Sequence, residues 1–133
     1  MRVRVHKQKG FRRLVNALGH QYAGAKHALA NDSAIRQVAA GVFVLLIVSA
    51  LLRISVLEHL LLAVVTSQIL LLEVINSAIE ATVDRISEER HPLAKEAKDL
   101  GSVAVALAVL IASLCWLVIC YPLIVRLLSQ AGA

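Results

Sequence analysis

Acidic residues are absent from the first 31 positions of this 133-residue chain; seven Lys or Arg precede Asp32 and no Asp or Glu does. A basic segment that adjoins apolar spans is suited to anionic lipid headgroups. Nucleic acid is disfavoured as its partner, because no nucleic-acid-binding motif accompanies the charge. Cysteine is scarce as well. Cys115 and Cys120 are the only two, and they sit in one apolar stretch on different helix faces. That placement argues against a disulfide or a zinc site and leaves them as small buried hydrophobes. A glycine-rich phosphate loop is missing. Gly19-His20-Gln21-Tyr22-Ala23-Gly24-Ala25-Lys26 comes near to one, but Lys does not directly follow the second Gly, no Ser or Thr follows the Lys, and no strand precedes it. No secretory leader is expected, since the first apolar run starts only near Val38, too late for one.

What is present is apolar length. Hydrophobic residues make up 59% of the chain and the mean hydropathy is +0.75, which together exclude an ordinary soluble domain. The expected architecture is a single all-α membrane domain over residues 1–133. Residues 1–9 form a basic tail without periodicity. From Gly10, the residues Phe11, Leu14, Val15, Leu18, Tyr22, Ala25 and Leu29 recur at helical spacing, with Arg12, Arg13, Asn16, His20 and Lys26 on other faces. This pattern predicts an amphipathic helix in the membrane interface, so that tail and helix together take up residues 1–33. Asn31-Asp32-Ser33 marks a break and offers a cap for the helix after it. Three transmembrane helices are expected over 34–57, 60–83 and 101–128. A charged connection, Arg85 to Asp99, separates the last two. Pro92 is placed to open a new helix there, and Pro122 to bend the far end of the third span. Arg36, near the start of the first span, is placed to snorkel or to meet an anionic ligand.

Lys and Arg counts set the orientation. The N-terminal seven, Arg36, Arg85, Arg90, Lys95 and Lys98 fall on one side, and Arg53 and Arg126 on the other. The N-terminus is therefore expected in the cytoplasm and the C-terminus in the periplasm. Asp32, Glu80, Asp84, Lys98 and Asp99 then share the cytoplasmic interface. Glu73 lies about 10 Å deeper than Glu80 at helical rise.

The second span carries the chemistry. Glu73, Asn76, Glu80 and Asp84 fall within an arc of roughly 80° on one helix face. Val74, Ile75, Ala78, Ala81 and Thr82 lie opposite. A charge at the centre of a membrane helix costs roughly 2.5–3.5 kcal/mol on insertion scales. Such a stripe must face protein, water, a metal ion or a polar substrate. A structural polar seam between helices is the plainer explanation. A hard cation such as Mg²⁺ is the chemical one, since it takes oxygen ligands and keeps waters and substrate phosphates. Arg13, Arg36, Lys95 and Lys98 add positive charge for phosphate oxygens. An acceptor hydroxyl just beneath the headgroups suits the depth of Glu73. Metal, cations and a base are the parts that phosphoryl transfer needs.

The run Glu73-Val74-Ile75-Asn76-Ser77-Ala78-Ile79-Glu80-Ala81-Thr82-Val83-Asp84-Arg85, followed by Ala97-Lys98-Asp99-Leu100-Gly101-Ser102, resembles the prokaryotic diacylglycerol kinase family. The family pattern is close to E-x-x-N-[ST]-A-[IL]-E-x-x-[VI]-D with A-K-D further on. The resemblance extends over Gly10-Phe11-Arg12-Arg13 and Arg36-Gln37 into the third span. It implies an inner-membrane homotrimer with active sites shared between neighbouring subunits. ATP and Mg²⁺ are the implied cofactors, and the hydroxyl of diacylglycerol the implied acceptor, giving phosphatidic acid. By position, Glu73 resembles the general base. Glu80 matches the metal-binding carboxylate, with Asp32 where the family usually has a partner Glu. Asn76, Lys98 and Asp99 match residues lining the nucleotide and catalytic site, and Arg13 one near the lipid and phosphate region. Asp32 is one methylene shorter than Glu, so its reach to a metal must be made up by backbone or water. His20-Gln21-Tyr22 departs from the Tyr-Ser-Trp of many members.

The family also includes undecaprenol kinases. Leu100-Gly101-Ser102 is more similar to the diacylglycerol kinases of proteobacteria. Outside the family, an intramembrane Glu also suits a small proton-coupled transporter, and a polar stripe suits a non-enzymatic scaffold. Neither of these gives the cluster of Asp32, Glu80, Asp84, Lys98 and Asp99 a task.

Overall fold

A computed structural model describes residues 11–86 and 91–131. The expected basic tail, residues 87–90 with Arg90, and the side chain of Arg13 lie outside the described residues. Four helices succeed one another: α1 (Phe11–Asn31), α2 (Ser33–Leu51), α3 (Val56–Ile86) and α4 (Pro92–Ala131). The last three are each long and apolar enough to cross a membrane. The chain is therefore an all-helical integral membrane protein that crosses the bilayer several times.

Local chemistry sets the helix ends. Asp32 leaves helical geometry at φ −104° and ψ 116°. Its Oδ1 accepts from the amides of Ala34 at 2.8 Å and Ile35 at 3.1 Å, satisfying two donors that the first turn of α2 leaves open. Arg36 turns back to α1, where Nη1 donates to the carbonyls of Ala30 at 3.0 Å and Leu29 at 3.3 Å. Instead of snorkelling, it closes the C-terminus of α1, where positive charge is favoured.

The helices do not coincide with the apolar stretches. α2 stops at Leu51, short of the expected residue 57, because Leu52 is extended. α3 begins at Val56, ahead of residue 60. Ser55 and Glu58 form a capping box there: the Ser55 amide donates to Glu58 Oε2 at 2.6 Å and the Glu58 amide to Ser55 Oγ at 3.3 Å. Such reciprocal bonds start a helix independently of hydropathy. α4 begins at Pro92, nine residues before the expected third span. The amides of Ala94 and Lys95 donate to the His91 carbonyl at 3.0 and 3.2 Å, and Pro92 has no amide to leave unpaired. Much of the expected charged connection is thus the first turns of α4. The helix runs on through Pro122 to Ala131.

α3 is the central helix, packed against both α2 and α4, while α1 touches α2. The buried positions recur at about seven residues. They are Ile35, Val42 and Ser49 on α2, and Gly101, Ala108, Ala112 and Ile119 on α4. Between them lie Leu62, Val65, Thr66, Glu73 and Asn76 of α3. A seven-residue repeat keeps one seam facing a slightly inclined neighbour. Small residues on α4 let its backbone come close to α3, which is how membrane helices gain contact without a hydrophobic drive. Most large apolar side chains point outward, as lipid-facing residues do. The lone Trp116 is not among them: its Nε1 donates to Thr66 Oγ1 at 3.0 Å, and Thr66 is fully buried.

Candidate active site

The stripe on α3 faces the seam between helices. Glu73 and Asn76 are buried, Glu80 is half-buried and Asp84 is exposed. One turn of helix separates Asn76 from Glu80, and Asn76 Nδ2 donates to Glu80 Oε1 at 3.0 Å. Asp32 reaches the same place from the start of α2. The Ser77 hydroxyl, with the Ile35 amide second to it, holds the Asp32 carboxyl below the ordinary aspartate range. The negative charges of Asp32 and Glu80 both bear on Glu73. Among the described residues, Glu73 has no hydrogen-bond or ion-pair partner of its own. Two helices thus bring together Asp32, Glu73, Asn76 and Glu80, which are 41–48 positions apart along the chain from the first to the others.

Lys95 and Lys98 are not drawn into that cluster. Lys98 Nζ lies 2.5 Å from Asp84 Oδ1, joining α4 to α3 at the stripe's exposed end. Asp99 pairs instead with Lys95 one turn away, at 2.5 Å, on an exposed surface. Residues 19–26 lie inside α1, so the glycines there make no phosphate loop.

Two contributors go beyond the residues singled out from sequence. Ser77 comes four positions after Glu73 and three before Glu80, so helical spacing already placed it beside the stripe. Gly101 carries no such signal, because its role depends on how α4 meets α3. A methyl group there would overlap Asn76 Oδ1, and would stand 3.3 Å from Asn76 Cγ and 3.7 Å from Ile79 Cδ1.

The 102 residues 19–120 match the family model for prokaryotic diacylglycerol kinase. The chain belongs to the prokaryotic diacylglycerol kinase family. It is 44% identical over 109 residues to the diacylglycerol kinase of Pseudomonas aeruginosa, covering 82% of this chain and 89% of that one. Identity to the diacylglycerol kinase of Escherichia coli is 36% over 110 residues, or 83% and 90% of the two chains. For the Helicobacter pylori diacylglycerol kinase it is 37% over 110 residues, 83% and 86%. Membership makes the chain a kinase of a bacterial membrane, with a nucleotide as the phosphate donor.

The donor set fits the divalent cation that a nucleotide brings. It consists of hard carboxylate oxygens on two helices, Asp32 at the start of α2 and Glu80 on α3. No three His, Cys, Asp or Glu side chains among the described residues are grouped to hold a metal alone. Mg²⁺ does not need that many, since one or two carboxylates with substrate phosphates and water complete its shell.

Proposed function

We propose that the chain is an ATP-dependent diacylglycerol kinase, which transfers the γ-phosphate of ATP to the free hydroxyl of diacylglycerol and releases phosphatidic acid. Glu73 carries the reading. It is a carboxylate only 8% exposed, on a membrane-length helix, with like charges bearing on it and no partner among the described residues. Structural carboxylates in such surroundings are paired. An unpaired one suits a group that accepts a proton from substrate.

In this reading Glu73 takes the proton of the acceptor hydroxyl as that oxygen forms its bond to phosphorus. The phosphorus–oxygen bond to ADP breaks, and ADP leaves with the electron pair. Glu80 and Asp32 would hold Mg²⁺. When bound, Mg²⁺ supplies positive charge to the phosphate oxygens. Asn76 fixes the carboxylate of Glu80 and lines the nucleotide site, together with Lys98, Asp99 and Arg13. Exposed ion pairs contribute little, so Lys98 can leave Asp84, and Asp99 can leave Lys95, when a nucleotide arrives.

The working unit is a homotrimer whose active sites are shared between neighbours. The stripe supports this, because one chain leaves Glu80 only half-covered and Asp84 exposed, and a second chain would enclose them. α1 is an amphipathic helix on the cytoplasmic face of the inner membrane. With α2, α3 and α4 as the three spans, the C-terminus lies in the periplasm. The charge distribution supports this orientation.

The test uses purified protein in mixed micelles with labelled ATP, Mg²⁺ and either diacylglycerol or undecaprenol. Labelled phosphatidic acid is the expected product. Label on undecaprenol alone reassigns the acceptor. ATP-independent proton flux through liposomes holding the protein, with no labelled lipid, replaces the kinase reading by that of a transporter.

A further inference from the structure

Asn76 has two polar ends with different surroundings. Nδ2 donates to Glu80 Oε1. Oδ1 is fully enclosed and accepts no hydrogen bond. A rotated amide would bring Oδ1 against the Glu80 carboxylate, oxygen to oxygen, which like partial charges oppose. The amide is therefore fixed with its carbonyl toward α4. What stands there is Gly101, itself buried, where an added Cβ would overlap Oδ1. The Cα–H of Gly101 is the group facing that oxygen. Such Cα–H···O contacts recur between closely packed helices.

We infer that Gly101 is a positioning residue for the metal-binding carboxylate: its bare Cα seats the carbonyl of Asn76, and the seated amide holds Glu80 by its other end. This deepens the kinase reading and rests on it for the task of Glu80. Contact runs from the α4 backbone, through one side chain of α3, to a second side chain one turn further along α3. The other described glycines differ in this respect, since Gly19, Gly24 and Gly41 have open space where a methyl would go.

The test compares Gly101→Ala with Gly41→Ala in the full-length protein in detergent. The probe is the side-chain amide resonance of Asn76 in ¹⁵N-labelled protein, assigned by its loss in Asn76→Ala. It is read without lipid or nucleotide, so the contact stands or falls apart from the proposed reaction. Gly101→Ala is expected to move the resonance away from its hydrogen-bonded position, and Gly41→Ala to leave it in place. Titration with ATP and Mg²⁺, without lipid acceptor, is expected to show Mg²⁺-dependent binding weakened about 10–100-fold in Gly101→Ala, as for the loss of a group that orients a metal ligand. A folded Gly101→Ala protein with an unmoved Asn76 resonance overturns the inference. So does a moved resonance with unchanged Mg²⁺-dependent binding. Should Gly101→Ala fail to fold, the double variant Gly101→Ala/Asn76→Ala decides. Recovery of the fold supports the contact with Asn76, and continued failure overturns it.

Discussion

α3 is two different helices joined end to end. Its first half buries Leu62, Val65 and Thr66, and its second half buries Glu73 and Asn76. In the first half the one buried hydroxyl is answered by the indole of Trp116. In the second half, among the described residues, the Asn76 carbonyl accepts no hydrogen bond and Glu73 has no hydrogen-bond or ion-pair partner. α4 keeps to the same division, offering its largest side chain, Trp116, to the first half and its smallest residue, Gly101, to the second. Buried polar atoms that are satisfied within the fold contribute to stability, and those left unsatisfied cost it. The first half is satisfied within the fold, and the second half carries the residues proposed for the chemistry.

The sharpest way to break that comparison is a substitution at Glu73. Glu73→Gln removes the charge without changing the shape. It is expected to lower lipid phosphorylation by about 10²–10⁴-fold, the range for loss of a general base, while ATP affinity and assembly stay as they were. Turnover within a few-fold of the parent removes Glu73 from the mechanism, and lost ATP affinity in Mg²⁺ moves it to the metal site. Glu80→Gln should differ in kind, abolishing turnover and weakening Mg²⁺-dependent ATP binding together. Asn76→Ala is expected to stop short of that, with Mg²⁺ affinity lowered about 10–100-fold, as is usual for a residue that orients a metal ligand.

Asp32 caps α2 and has a proposed second task at the metal, and two substitutions separate them. Asn caps a helix about as well as Asp does, whereas Ala gives up about 1 kcal/mol. Asp32→Asn is expected to keep thermal stability and lose Mg²⁺-dependent activity; Asp32→Ala should lose both. Equal activity in parent and Asp32→Asn would leave Asp32 as a cap and nothing more. If sites are shared between subunits, mixing inactive Asp32→Asn with inactive Glu73→Gln protein should restore part of the activity. Mixed oligomers without recovery would confine each site to one chain.

The two halves were unequally legible in the sequence. Helical spacing alone put Glu73, Asn76 and Glu80 on one face, and the cost of charge in lipid turned that face inward. A cap was legible at Asn31-Asp32-Ser33, which interrupts two helical patterns, and the structure assigns it to Asp32. Ser55 and Glu58 also carried their signal, a capping box, yet the apolar run drew the expected start of the second span to residue 60. Hydropathy reports where lipid is, and capping reports where the helix is. Side-chain pairing between helices was out of reach. Lys98 on Asp84, Trp116 on Thr66 and Gly101 against Asn76 depend on the rotation and depth of α4 relative to α3, which the spacing within either helix leaves open. The close approach to Asn76 comes from a residue without a side chain, the kind for which a sequence gives least warning.

The smallest expected effect tests the first half by itself. Thr66→Val keeps the shape of the side chain and removes the acceptor for Trp116 Nε1. The indole N–H is then left buried without a partner. In water such a loss is substantial, but within a bilayer the unfolded helices find other partners, and interhelical polar pairs average about 0.6 kcal/mol with a maximum near 1.7. Trp116→Phe removes the donor and part of the ring at once, so that its own effect mixes packing with hydrogen bonding. The double-mutant cycle separates these, since the packing loss appears on both sides of the cycle and cancels. A coupling of about 0.6–1.7 kcal/mol in denaturation by a harsh detergent is therefore expected, with turnover and Mg²⁺ dependence of Thr66→Val at parental values. A coupling near zero would make the hydrogen bond incidental. A change in Mg²⁺ dependence on Thr66→Val would show that the two halves of α3 do not act separately, because the substitution lies two turns of helix from Glu73.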